Sequence, residues 1–151
     1  MTSTEPIMPR PLPASDRDTA PYWEAMNERK LIFQKCASCA TVRYPVGPLC
    51  PQCHSFEAQW ITSSGIGTVF SFTIVRHQTH PAFPVPYQIV LVEMQEGPRV
   101  VARVDSLDGV TAEIGTIVSV EFEDAGGQLL PVFHPSGDPV RGGISTRRQS
   151  T

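Results

Sequence analysis

Four cysteines, Cys36, Cys39, Cys50 and Cys53, lie within eighteen consecutive residues, and the chain has no others. Their spacing makes two Cys-x-x-Cys knuckles separated by ten residues, the sequence sign of a tetrahedral four-thiolate metal site. Each knuckle offers two thiolates from one tight turn, and the ten intervening residues suffice for a short hairpin that brings the pairs together. Thiolate softness favours zinc, with mononuclear iron as the minority option. Four protein ligands leave no open position for water, so the expected role is structural, at one zinc per chain. The competing readings are two disulfides or four free thiols. Disulfides belong mainly to secreted chains. Residues 1–14 carry no apolar signal core, which leads to the expectation of an intracellular, cytoplasmic protein.

The other groups capable of chemistry are sparser. His54 follows Cys53 directly and reads as a solvated surface residue rather than a substitute ligand. His77 and His80 flank the start of a long loop. No carboxylate and no Ser or Cys nucleophile lies near them in sequence to complete a catalytic set. His134 reads as a strand-end residue. The chain has no phosphate loop, no dinucleotide glycine fingerprint and no His-Glu-x-x-His.

These groups need a scaffold, and the hydrophobic period supplies one. Residues 20–32 read as a helix, with Pro21 in its first turn and Tyr22, Trp23 and Met26 at helical spacing. Trp23 is expected on the chain's own core, the sharper alternative being a helix that packs on a partner. From residue 65 the period turns strand-like. Residues 68–75 place Phe70, Phe72 and Ile74 on one face. Residues 87–94 are apolar on both faces over Ile89–Val92, as in a central strand. Residues 99–104 alternate, with Val100, Ala102 and Val104 inward. Residues 117–122 alternate too, and residues 129–133 carry Pro131, which suits an edge. Turns are marked by Gly97-Pro98, Asp108-Gly109 and Gly126-Gly127. Five short strands with no helical period among them argue a small closed or partly closed barrel.

The 151 residues fit one ordinary domain or two very small ones, and 40% hydrophobic content is enough for a core. The chain is read as a flexible proline-rich arm (1–19), a helix plus four-cysteine ribbon (20–61), a barrel (62–134) and a flexible tail (135–151). No apolar run reaches the roughly 18 residues of a membrane span. The net charge is −3. Residues 62–134 hold eight acids against three bases, Arg76, Arg99 and Arg103. Nucleic-acid binding usually needs the opposite sign.

The order of parts is specific as an ensemble. A Pro21-Tyr22-Trp23 helix leads into Leu31–Cys36 and the four-cysteine ribbon. Then follow Gly67–Val75, the proline-rich loop, Pro86–Glu93, Glu96-Gly97, Gly115 with Val118 and Val120, and Pro131–Phe133. This resembles the acyl-CoA-associated group called domain of unknown function thirty-five, which joins a rubredoxin-like zinc ribbon to an OB-fold. The resemblance covers about residues 20–135. It implies a mainly β chain, with an N-terminal helix and zinc ribbon followed by a five-stranded OB-fold barrel. It carries Cys36, Cys39, Cys50 and Cys53 over as zinc ligands. It also implies an accessory subunit without catalytic residues of its own, in a hetero-oligomer with a thiolase-like or MaoC-like protein, helping to form an acyl-CoA channel. Two departures stand out. Ala40 and His54 occupy positions where the family often has glycine, and Pro45-Val46-Gly47 replaces the usual Pro-Pro-Arg.

On that reading Phe70, Phe72, Phe83 and Tyr87 line an apolar acyl path, with Arg76 and Arg99 near the cofactor's phosphates. The alternative for the aromatics is barrel core. Two other functions compete with this one. An OB-fold nucleic-acid binder conflicts with the acidic barrel, and a stand-alone hydratase or hydrolase would act through His77 and His80.

Overall fold

The computed structural model describes residues 8–104 and 112–136. The Asp108-Gly109 turn, the first seven residues of the arm and the tail from residue 137 lie outside the described residues. The order is one helix, α1 (Ala20–Asn27), then β1 (Ile32–Cys36), β2 (Val42–Arg43), β3 (Ala58–Thr62), β4 (Ile66–Val75), β5 (Tyr87–Met94), β6 (Arg99–Val104), β7 (Ile117–Asp124) and β8 (Leu129–Pro135). None of the described helices is long and apolar enough to cross a membrane.

Helix α1 begins with Pro21 in its first turn and buries Tyr22 and Met26. Trp23 is half-buried against the same core. The helix stops at Asn27, earlier than its apolar spacing suggests. Arg29 adopts φ 59°, and the N–H groups of Arg29 and Lys30 return to the carbonyls of Met26 and Ala25. This is a Schellman-type ending without the usual glycine.

Strands β2, β1 and β3 form a small antiparallel sheet in that order, and β4–β8 close a barrel in the order β4-β5-β6-β8-β7. Closure comes from Ile66–Thr68 of β4 pairing with β7, and from a parallel contact of β6 with β8. β8 is therefore not the open edge that Pro131 suggested. The β6 pairing starts at Val132, one residue past the proline. One buried cluster runs through both parts, from Tyr22, Met26 and Phe33 to Val90, Val100, Val118 and Phe133.

The alternation of β6 holds: Val100 and Val104 are buried, while Val101 is 58% exposed. In β5 the buried set is Gln88, Val90, Val92 and Met94, with Ile89 and Leu91 half-covered. Gln88 sits in the interior because its amide pairs both ways with the backbone of Ala112. In β4 the expected single face breaks. The register with β5 skips at Phe70, between Val69 opposite Val92 and Ser71 opposite Leu91. A bulge of one residue shifts the pleat, so Phe70 and Phe72 leave a common face. Phe70 is 47% and Phe72 40% exposed, which removes both from the barrel core.

Polar clamps tie the two parts together. Glu96, in the β5–β6 turn, accepts from the Ser63 hydroxyl and the Ser64 N–H on the link between β3 and β4. Partial burial opposes the charge of Glu96. The N–H groups of Ser64 and of Glu96 itself, with the Ser63 hydroxyl, outweigh it and hold the carboxyl below its usual range. On the other side, Asn27 at the end of α1 accepts from the amide of Gln128 in the β7–β8 turn and from the N–H of Leu129, the first residue of β8.

Candidate metal centre and barrel cavity

The two knuckles are built alike. The N–H of Cys36 donates to the Thr41 carbonyl and that of Ala40 to the Cys36 carbonyl. The N–H of Cys50 donates to the Ser55 carbonyl and that of His54 to the Cys50 carbonyl. The hydroxyls of Ser38 and Ser55, 3.0 Å apart, join them. Closing each turn puts Ala40 at φ 60° and His54 at φ 59°, in the left-handed region. That conformation explains the glycine expected at both positions, since a Cβ there costs roughly 1–2 kcal/mol. Glycine also adds unfolded-state entropy. The net expectation for Ala40→Gly is a stabilisation of about 0.5–1 kcal/mol, read as a melting temperature higher by about 1–4 °C with unchanged zinc content. An unchanged or lower midpoint would show that the strain is relieved elsewhere.

All four sulfurs lie within 4.8 Å of one another. Cys36 and Cys53 are 3.6 Å apart, as are Cys39 and Cys50. These separations are far beyond the roughly 2.05 Å of a disulfide. They match the edge of a tetrahedron of sulfurs about 2.3 Å from a central ion, which is about 3.8 Å. Cys36 and Cys50 are buried, Cys39 and Cys53 exposed. The N–H of Cys39, with that of Ser38, holds the Cys36 thiol below its usual value. The N–H of Cys53, with that of Gln52, brings Cys50 down to about 6. The Ser55 N–H pulls Cys53 the same way, but the crowded sulfurs of Cys39, Cys36 and Cys50 push it up to about 12. Four thiolates at this spacing need a cation between them, and the donor set fits one soft divalent ion.

The second feature is a cavity of about 220 Å³ on the barrel, between β5, β6 and the long loop. Phe83 and Tyr87 come together there, with ring centroids 6.5 Å apart, beside Ile89 and Val101. Phe70 and Arg99 form a separate patch. The Arg99 guanidinium lies 3.6 Å from the Phe70 ring centroid, and its Nε donates to Glu93. Arg76 is exposed and makes no salt bridge among the described residues. Of the six residues proposed for an acyl-CoA path, only Phe83 and Tyr87 line this cavity. Arg103 lines it as well, and so does Arg10, which the sequence reading left unassigned. The available signal for Arg10 was its position as the sole base of residues 1–14, between Pro9 and Pro11.

His77 is exposed. His80 accepts the Ala82 N–H on Nδ1 at 3.1 Å and packs against Phe83, so it organises the loop. None of the hydrogen bonds among the described residues joins either histidine to a carboxylate or a nucleophile.

Comparison with known proteins agrees with this geometry. Residues 23–57 match the model of the ChsH2 rubredoxin-like zinc ribbon domain, and residues 60–123 that of the ChsH2 C-terminal OB-fold domain. A DUF35 domain-containing scaffold protein of Pyrococcus furiosus is 32% identical over 70% of this chain and 82% of its own length. The chain belongs to the DUF35 family. Its barrel is thus an OB-fold, and its cysteine cluster is the metal site of a zinc ribbon, with four thiols placed to hold one structural ion. A solved family structure, described as an Ltp2-ChsH2(DUF35) aldolase, is 41% identical with a TM-score of 0.76, covering 82% of this chain and 98% of that one. A probable enoyl-CoA hydratase alpha subunit of Thermomonospora curvata is 41% identical over 89% of this chain. The chain spans 43% of that longer protein.

Proposed function

We propose that this DUF35 protein is a non-catalytic, acyl-CoA-associated subunit. It binds a thiolase-like partner, of the lipid-transfer-type thiolase, aldolase or acyltransferase kind, and helps form its acyl-CoA channel. The observation that carries this reading is the 41% identity to the ChsH2(DUF35) chain of a two-component aldolase, across 98% of that chain. The name of the Thermomonospora relative supports a CoA thioester as the ligand class. The geometry is consistent with it. Four thiolates would fill the coordination sphere of the metal, the two loop histidines have no catalytic neighbours among the described residues, and an aromatic cavity opens on the barrel. In this role Phe83 and Tyr87 line the path of the acyl-pantetheine chain, Cys36, Cys39, Cys50 and Cys53 hold the zinc, and the chain works in a cytoplasmic hetero-oligomer. Phe72 lines an adjoining cavity of about 210 Å³ that shares Ile89 and Val101 with the first, while Phe70, Arg76 and Arg99 line neither and belong to the path only if the partner extends it across the barrel. Co-expression with a thiolase-like protein tests the reading. The expected result is a co-purifying complex whose partner loses solubility or turnover when this chain is omitted. A partner that is soluble and fully active alone refutes it.

A further inference from the structure

The barrel cavity holds more charge than an apolar path needs. Two guanidiniums of its lining, those of Arg10 and Arg103, converge at its edge on one carboxylate, that of Glu123, which is not itself a lining residue. Arg10 Nη1 donates to Glu123 Oε1 at 2.8 Å, and Arg103 Nη2 donates to Glu123 Oε2 at 2.5 Å. The three side chains are 20%, 32% and 32% exposed, so the group is partly withdrawn from water. Its charges do not balance, with two cations against one anion. Nε of Arg103 is buried and has no hydrogen-bond partner among the described residues. A buried donor without a partner is costly, and native interiors rarely keep one without a use. Arg10 arrives from the far end of the chain, and its guanidinium lies over the Phe83 ring, 5.1 Å from the centroid.

We propose that this cluster is an anion site with a resident occupant. Glu123 holds Arg10 and Arg103 while the cavity is free of ligand, and the phosphate-bearing end of a ligand replaces the carboxylate between them. The chemistry favours the exchange. Guanidinium forks match phosphate oxygens in pairs, and a phosphate brings an additional acceptor for the unpaired Nε of Arg103. A phosphate carrying close to two charges also neutralises both arginines, which one carboxylate does not. Glu123 is next to the last residue of β7 and a third exposed, so its carboxylate can turn out into water. The apolar wall of Phe83, Tyr87, Ile89 and Val101 then receives the uncharged part of the same ligand. The site itself stands on this geometry. Only the identification of the ligand with a CoA thioester rests on the proposed function.

The test is calorimetric titration of the full chain at low salt with two probes, coenzyme A and inorganic pyrophosphate. Glu123→Gln removes the competing charge and is expected to tighten both by about ten-fold. Adding Arg103→Gln to that variant is expected to abolish the gain, and adding Arg10→Gln to reduce it by about three-fold. Equal or weaker binding of both probes by a folded Glu123→Gln chain overturns the proposal. If that variant does not fold, Arg10→Gln in the unaltered chain decides the matter, because Arg10 lies outside the barrel strands. Weaker binding supports the exchange and unchanged binding refutes it. Coenzyme A binding that ignores all three residues would refute the exchange and leave the acyl-CoA reading standing. Tightening for pyrophosphate alone would establish the exchange and refute that reading.

Discussion

Replacing Cys50 by serine is expected to strip the chain of its zinc and unfold residues 32–62 while the barrel persists. Cys50 is fully buried, and its sulfur receives the N–H groups of Cys53 and Gln52 at the heart of the second knuckle. A serine hydroxyl is a hard, protonated donor and a poor replacement for thiolate. Beyond the core contacts of Leu31, Ile32 and Phe33, the ribbon has little of its own to hold it. Its strands are five, two and five residues long, and structural zinc supplies on the order of 10 kcal/mol to units of this kind. The measurement is elemental analysis together with amide hydrogen exchange. Zinc should fall from one per chain to near none, and Ile32–Cys36 should lose protection while Tyr87–Met94 keeps it. Chelation of the unaltered protein should reproduce the pattern. A zinc-free variant whose ribbon stays protected would show that packing against the barrel, through Phe33 and Leu31, suffices without metal.

The opposite pattern is expected for Gly67→Ala, in which the barrel loses stability and the metal stays. Gly67 is buried in β4 and paired on one side with Met94 and on the other with Val118. A Cβ built there falls 2.7 Å from the carbonyl oxygen of Glu93 and 3.1 Å from Met94 Sδ, and closer still to Val92 Cγ1. A side chain can rotate away, but the neighbouring strand's carbonyl cannot move without opening the β4–β5 ladder. Overpacking of this kind costs about 3 kcal/mol, which lowers the melting temperature by roughly 6–12 °C in a domain of this size. Zinc content should remain at one per chain. Gly47→Ala is the matched control, because a Cβ there meets nothing within 4 Å. Equal losses for the two substitutions would refute the account.

What was legible from sequence depended on how local the cause was. The metal cluster was legible because each knuckle is closed by bonds spanning four or five residues, such as Ala40 to Cys36 and Cys50 to Ser55. The β6 pattern was legible because the pleat sorts Val100 from Val101 without help from the rest of the fold. The face of Phe70 was not, since the bulge at that residue exists only in the register between β4 and β5. The end of α1 was missed because Arg29 takes the left-handed position that glycine usually announces. Arg10 was missed for the most physical reason: its partner Glu123 is 113 residues away, and nothing in the arm's own composition names it.

The clamps at Glu96 and at Asn27 have a consequence for assembly. A ribbon tethered to its barrel by a loose linker would leave the second contact of a two-point docking to an intramolecular search, at a concentration set by linker length. Here Ser63 and Ser64 are held by Glu96, and the end of α1 is held by Gln128 and Leu129. Once a partner grips either part, the other arrives with its orientation already chosen. The rotational freedom that docking normally forfeits was given up when the chain folded.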